Sequence, residues 1–238
     1  MKLVTKSLER GFFAVTKPIA GWLLRAHITP NTLTTIAASL VVISAVAFAY
    51  GWIRWGGGLL LASGIVDTLD GEVARRGGMT SKFGAFYDST LDRVGDGATF
   101  IGIAVYLLRA PGVAWRIETA VLCMVAVLSS LLVSYARARA EGLGIECKVG
   151  LVQRAERLIA IGVPSVLMGP GTGGIVLQVI VAVLALLSTV TVVQRFVYVY
   201  GVTREPVAPA QAAAPRISEP VAPAEAAAPR ISESTERT

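Results

Sequence analysis

Residues Asp67 to Asp92 read DTLDGEVARRGGMTSKFGAFYDSTLD, and four aspartates stand here inside a chain that is otherwise mostly apolar. Asp67 and Asp70 are three apart; Asp88 and Asp92 are four apart. On helices, both spacings place the paired carboxylates on one face. Two helices that each turn two carboxylates toward the other make a cage of hard oxygen ligands. Such a cage suits Mg²⁺, Mn²⁺ or Ca²⁺ rather than zinc or copper. Without cations, four carboxylates this close would repel one another and could not all stay ionised.

The small residues and the arginine fit the same picture. Gly71 follows Asp70 directly, and Gly84 sits four before Asp88 on the same helical face. Small residues at these points let a ligand or a neighbouring helix come close. Ala74 and Arg75 lie one turn past Asp70 and Gly71, where Arg75 can neutralise a phosphate held by the same metals. Metals, glycines and a cation together describe a pyrophosphate site.

The pattern Asp67-x-x-Asp70-Gly71-x-x-Ala74-Arg75, eight residues, Gly84-x-x-x-Asp88-x-x-x-Asp92 resembles the signature of the CDP-alcohol phosphotransferase family, with every fixed position present. The resemblance implies six transmembrane helices and two divalent cations, Mg²⁺ with Mn²⁺ as the alternative. It also implies transfer of a substituted phosphoryl group from a CDP-linked donor to an alcohol, with release of CMP. On this reading Asp67, Asp70, Asp88 and Asp92 hold the metals. Asn31, Thr34, Gly71, Ala74, Arg75, Ser81 and Gly84 contact the CDP donor. Asp92 doubles as the general base, a role that competes with metal ligation.

Composition agrees with a membrane protein. The chain has 238 residues, is 54% hydrophobic and has a mean hydropathy of +0.64. Several apolar runs approach the ~20 residues needed to cross a bilayer. The net charge of +6 suits basic cytoplasmic loops, and no nucleic-acid module accompanies it. Cys123 and Cys147 have neither metal spacing nor a disulfide framework.

The fold predicted is an all-α integral membrane protein with six transmembrane helices and an N-terminal interfacial amphipathic helix. Met1 to Arg25 mixes five basic residues with apolar ones around Pro18, which suits a helix lying on anionic lipid rather than a cleaved secretory signal. The spans read 33–50, 55–70 (breaking near Gly77-Gly78), 83–108, 117–135 (continuing to Glu141), 151–168 and 175–200. Asn31 reads as the cap of the first. With the N-terminus inside, Arg75, Arg76, Lys82, Arg137, Arg139, Lys148 and Arg154 fall in inside loops, against Arg54, Arg109 and Arg116 outside. The positive-inside rule then places both termini and the aspartates at the cytoplasmic side of the cell membrane.

A second set of residues bears on the acceptor. Ser134-Tyr135-Ala136-Arg137-Ala138-Arg139-Ala140-Glu141, Gln153-Arg154-Ala155-Glu156-Arg157 and Gln194-Arg195 all return to the side of the aspartates. Arg137, Arg154 and Arg195 can converge on an anion, since the planar guanidinium binds two phosphate oxygens at once. A cationic pocket implies a phosphorylated alcohol rather than free serine or choline. Within the family this region resembles the phosphatidylinositol-phosphate synthase branch, which carries S-Y-x-K-A-R-A-E and E-R-P-E-R. This chain departs from those motifs at Arg137, Gln153 and Ala155.

The resemblance thus implies transfer of a phosphatidyl group from CDP-diacylglycerol to a phosphorylated polyol, inositol phosphate first. Glycerol 3-phosphate as acceptor, or a CDP-inositol donor, are the alternatives within the family, and a homodimer is implied by analogy. An intramembrane cation transporter is the alternative from another class; the charges cluster toward one face, whereas a transporter needs a path across. A lipid-binding scaffold without activity sits poorly with an intact signature. The membrane domain is read as residues 1–203. In the tail, 204–238, EPVAPAQAAAPRIS is followed at once by EPVAPAEAAAPRIS, a Pro/Ala-rich duplication with no apolar period and the composition of disorder.

Overall fold

The computed structural model describes Thr16 and residues 18–204. The predicted N-terminal helix falls partly outside the described residues, and the tail falls outside them from residue 205 on. Among the described residues the chain is helical, without strands. A helical segment at 18–25 precedes α1 (Pro30–Ala49), α2 (Ile53–Arg76), α3 (Lys82–Arg109), α4 (Arg116–Gly142), α5 (Arg154–Met168) and α6 (Ile175–Thr203). These bounds lie within a few residues of the six runs read from hydropathy.

Local chemistry explains the helix ends. The α1 cap is Thr29, whose side chain accepts from the Thr32 N–H at 3.3 Å, and Pro30 occupies the first turn. The cap is therefore two residues earlier than the sequence suggested, which frees the Asn31 side chain for another use. Gly78 takes a φ of +63° just past α2, a conformation glycine adopts without penalty. Ser81 caps α3 by accepting from the Gly84 N–H at 2.9 Å.

Among the described residues, three helices are long and apolar enough to cross a membrane: α1 with a mean hydropathy of 2.1, α4 with 2.1, and the stretch Thr172–Thr203 that contains α6 with 2.6. The other three differ for definite reasons. Asp67, Asp70 and Glu72 interrupt α2, Asp88, Asp92, Arg93 and Asp96 interrupt α3, and α5 has only 15 residues.

Helix α1 packs against both α2 and α3, α2 also against α5, and α3 against α4. Phe48, Ile53, Leu60, Phe100, Ile103, Leu107, Leu177 and Val181 form one buried core. Where α3 crosses α1, a Cβ built on Gly102 would stand 2.8 Å from the Ala45 carbonyl carbon. Where α2 crosses α5, a Cβ on Gly57 would stand 2.7 Å from Ser165 Cβ. Glycines let helix backbones touch here, which matters most where lipid supplies no hydrophobic drive between helices. Ala20 and Leu23 of the leading helical segment pack with Leu33, Leu69 and Val73, beside the carboxylate-bearing end of α2.

Candidate active site

The packing of α1 on α2 and α3 brings the aspartates together. Carboxylate oxygens of Asp67, Asp70 and Asp88 lie within 4.8 Å of one another. From α1, the Thr34 hydroxyl donates to Asp70 Oδ2 at 2.6 Å in a buried setting. The donor set is all carboxylate oxygen, which fits a hard divalent cation.

Beside this cluster lies a cavity of about 190 Å³ lined by α1, α2 and α3. Its walls include Asn31, Thr34, Gly71, Ala74, Arg75, Ser81 and Gly84, with Asp70 and Asp88 at its edge. All seven residues assigned to the donor from the sequence thus border one space. The glycines keep its walls lean: a Cβ on Gly71 would lie 3.1 Å from Arg75 Nη1, and one on Gly84 3.1 Å from Ser81 Oγ. Glu72 holds Arg75 at 3.1 Å and Arg76 at 2.7 Å, so the arginine beside the cavity is anchored on its own helix.

A second cavity of about 190 Å³ is strongly cationic. Arg93, Arg137, Arg154, Arg157 and Arg195 line it, opposed by Asp92 and Asp96. The three arginines predicted from sequence all reach it, each in a different state. Arg154 bridges Asp67 at 2.7 Å and Asp92 at 3.0 Å, joining this cavity to the aspartate cluster. Arg137 pairs at the surface with Glu141 at 2.8 Å, a contact that costs little to exchange. Arg195 is buried, and donates from Nε to the Val149 carbonyl at 3.0 Å and from Nη1 to the Val133 carbonyl.

Sequence reasoning passed over Arg157. The residue is 3% exposed and its side chain pairs with buried Asp96. Arg154 Nε and Arg157 Nε and Nη1 are buried without a hydrogen-bond partner among the described residues. Buried donors left unpaired are costly, and a cationic cavity lined by the two arginines that carry them is chemically suited to an anion. The spacing held the signal: Arg157 is one turn past Arg154, and Asp96 one turn past Asp92. Asp92 shares Arg154 Nη1 with Asp67 of the cluster and also lines the cationic cavity. A third, larger cavity of about 740 Å³ opens between α2 and α5, lined by Leu61, Ile65, Leu158 and Ile159 and floored by Asp67, Asp92 and Arg154.

A model of the CDP-alcohol phosphatidyltransferase family matches residues 27–193. The chain belongs to this family. It is a membrane transferase, and its relatives narrow the comparison. It is 40% identical over 199 residues to the phosphatidylinositol phosphate synthase of Cutibacterium acnes, covering 79% of this chain and 94% of that one. It is 42% identical over 176 residues to the archaetidylinositol phosphate synthase of Methanothermobacter thermautotrophicus, covering 72% and 83%. Among solved structures, the phosphatidylinositol phosphate synthase of Mycobacterium tuberculosis with CDP-DAG bound superposes with a TM-score of 0.70 at 32% identity, covering 79% of this chain and 94% of that one. The same enzyme in complex with manganese and citrate gives a TM-score of 0.71 at 31% identity, covering 78% and 88%.

Proposed function

We propose that this transferase moves the phosphatidyl group of CDP-diacylglycerol onto inositol phosphate and releases CMP. The observation that carries the acceptor is the arginine cavity with its unpaired buried guanidinium nitrogens, joined through Arg154 to the aspartate cluster. An uncharged alcohol would leave those donors unmatched, whereas a phosphate monoester satisfies them.

The donor's CDP moiety sits in the cavity bordered by Asn31, Thr34, Gly71, Ala74, Arg75, Ser81 and Gly84, and its acyl tails enter the apolar cleft between α2 and α5. Asp67, Asp70 and Asp88, with Asp92 where a second ion is present, would hold Mg²⁺, or Mn²⁺ in its place. Bound there, the cations offset charge on the pyrophosphate and on the departing CMP. Arg137, Arg154, Arg157 and Arg195 hold the acceptor phosphate and aim its hydroxyl for in-line attack. The hydroxyl oxygen bonds to the diacylglycerol-bearing phosphorus, the anhydride bond to CMP breaks, and Asp92 takes the proton. Its Oδ1 lies 3.0 Å from Arg154 Nη1 at the wall of the cationic cavity, which supports the base role beside the acceptor, in competition with ligation.

All six helices cross the cell membrane, with both termini and the aspartates cytoplasmic. Exposed Tyr50, Trp52 and Trp115 in the connections, with Trp55 in the first turn of α2, fall at the opposite end of the helices, the composition of an interfacial aromatic belt. The leading helix lies in the cytoplasmic interface, the catalytic domain is residues 1–203, the tail is separate, and the active form is a homodimer.

The test is CMP release from detergent-purified protein with CDP-diacylglycerol and Mg²⁺, comparing inositol 1-phosphate, glycerol 3-phosphate, serine and no acceptor. Release that requires inositol 1-phosphate is the expected result; release with glycerol 3-phosphate alone discards the acceptor assignment. Arg154→Ala should raise the acceptor KM at least tenfold, since a charge-assisted contact contributes about 1.5–3 kcal/mol. An unchanged KM makes Arg154 only a counter-ion of Asp67 and Asp92.

A further inference from the structure

The loop that joins α4 to α5 runs along one face of α6, tied to it at successive points. Tyr198 donates its hydroxyl to the Glu146 carbonyl at 3.2 Å, and Arg195 holds the Val149 carbonyl at 3.0 Å. The third tie is Thr191, whose side chain is completely buried. Its Oγ1 donates to the Leu187 carbonyl at 2.8 Å, the usual habit of a helical threonine. The same oxygen accepts from the backbone N–H groups of Leu151 at 3.2 Å and Val152 at 3.4 Å. Val152 is buried, so without Thr191 that N–H would lose a partner.

The loop is shaped for this contact. Gly150 has a φ of +144°, and a Cβ on it would stand 2.6 Å from Thr191 Cγ2. Directly after Val152 comes Gln153, whose N–H donates to Glu156 at 2.8 Å in the cap of α5. Arg154 is the next residue, and it reaches Asp67 and Asp92. Gln153 alone therefore separates the Thr191 tie from the residue whose guanidinium joins the two halves of the site.

We propose that Thr191 is a positioning residue, which fixes the first turn of α5 so that Arg154 and Arg157 meet the acceptor phosphate. The proposal rests on the transferase reading above for its kinetic consequence, but not for its structural one. Thr191→Val keeps the side-chain shape and removes the oxygen. The acceptor KM for inositol 1-phosphate should rise about tenfold, as for a buried N–H left unpaired, with the CDP-diacylglycerol KM unchanged. Thr191→Ser should restore it. Gly150→Ala keeps the hydroxyl but pushes the loop off it, and should reproduce the same split even where Thr191→Val fails to fold. Amide hydrogen exchange at residues 150–154 should accelerate in both Thr191→Val and Gly150→Ala, whether or not the protein turns over. Equal rises in both KM values, or wild-type kinetics in folded Thr191→Val, or unchanged exchange in that segment, would overturn the assignment. Absence of CMP release from the wild type with every acceptor would instead remove the transferase reading, and the exchange experiment would still decide the tie.

Discussion

Asp88→Asn reduces CMP release by about a thousandfold while the protein still folds. Losing one ligand of a hard-cation site forfeits several kcal/mol of charge stabilisation, and each 1.36 kcal/mol is a factor of ten. The folding side runs the other way. Three carboxylates within 4.8 Å of one another repel, so removing one charge leaves the cation-free protein as stable as before, or more so. Added Mg²⁺ should therefore raise the Tm of the wild type by mass action and raise that of Asp88→Asn much less. The two readouts separate a metal ligand from a residue that merely lines the cavity. Transfer at the wild-type rate by Asp88→Asn would sink the metal assignment.

Gly102→Leu should be the most damaging apolar substitution in the membrane domain. The α3 backbone rests on the α1 backbone there, and even a methyl group would meet the Ala45 carbonyl carbon at 2.8 Å and its Cα at 2.9 Å. A side chain facing backbone has nothing flexible to displace, so the two helices must separate. Overpacking costs about 1–3 kcal/mol where neighbours can adjust, and more where they cannot. The damage would extend to the site, because Thr34 on α1 holds Asp70 while α3 carries Asp88. A lower Tm and poor recovery from detergent are the expected results. Gly97→Leu, five residues earlier and with open space where its Cβ would lie, is the control that should behave as wild type in stability.

The aspartates were readable because their spacing alone puts them on helix faces, and the helices were readable because long apolar runs have few other solutions. The donor residues followed from the signature. Less was visible wherever helix rotation and long-range contact decide the outcome. The bond from Thr34 to Asp70 spans 36 residues, and no local pattern announces it. Asn31 looked like a cap because asparagine is good at capping, but Thr29 followed by Pro30 competes better. Arg195 lines the cationic cavity as its residue type suggests, but its two bonds to the Val149 and Val133 carbonyls, which hold it there, have no local signature. Arg157 escaped notice because a buried arginine paired with a buried aspartate looks, in sequence, like any other loop-end charge.

The brevity of α5 has a consequence for the bilayer itself. Fifteen residues rise about 22 Å, against a hydrocarbon thickness of about 30 Å. As a span in the proposed arrangement, α5 is mismatched, and the lipid beside it must thin to meet its ends. Its first residues are Arg154 and Ala155, next to the cleft between α2 and α5. Such a span would draw water and headgroups inward along that edge and leave a notch in the membrane surface. A lipid-borne donor and a water-borne acceptor can meet in such a notch without either leaving its own phase.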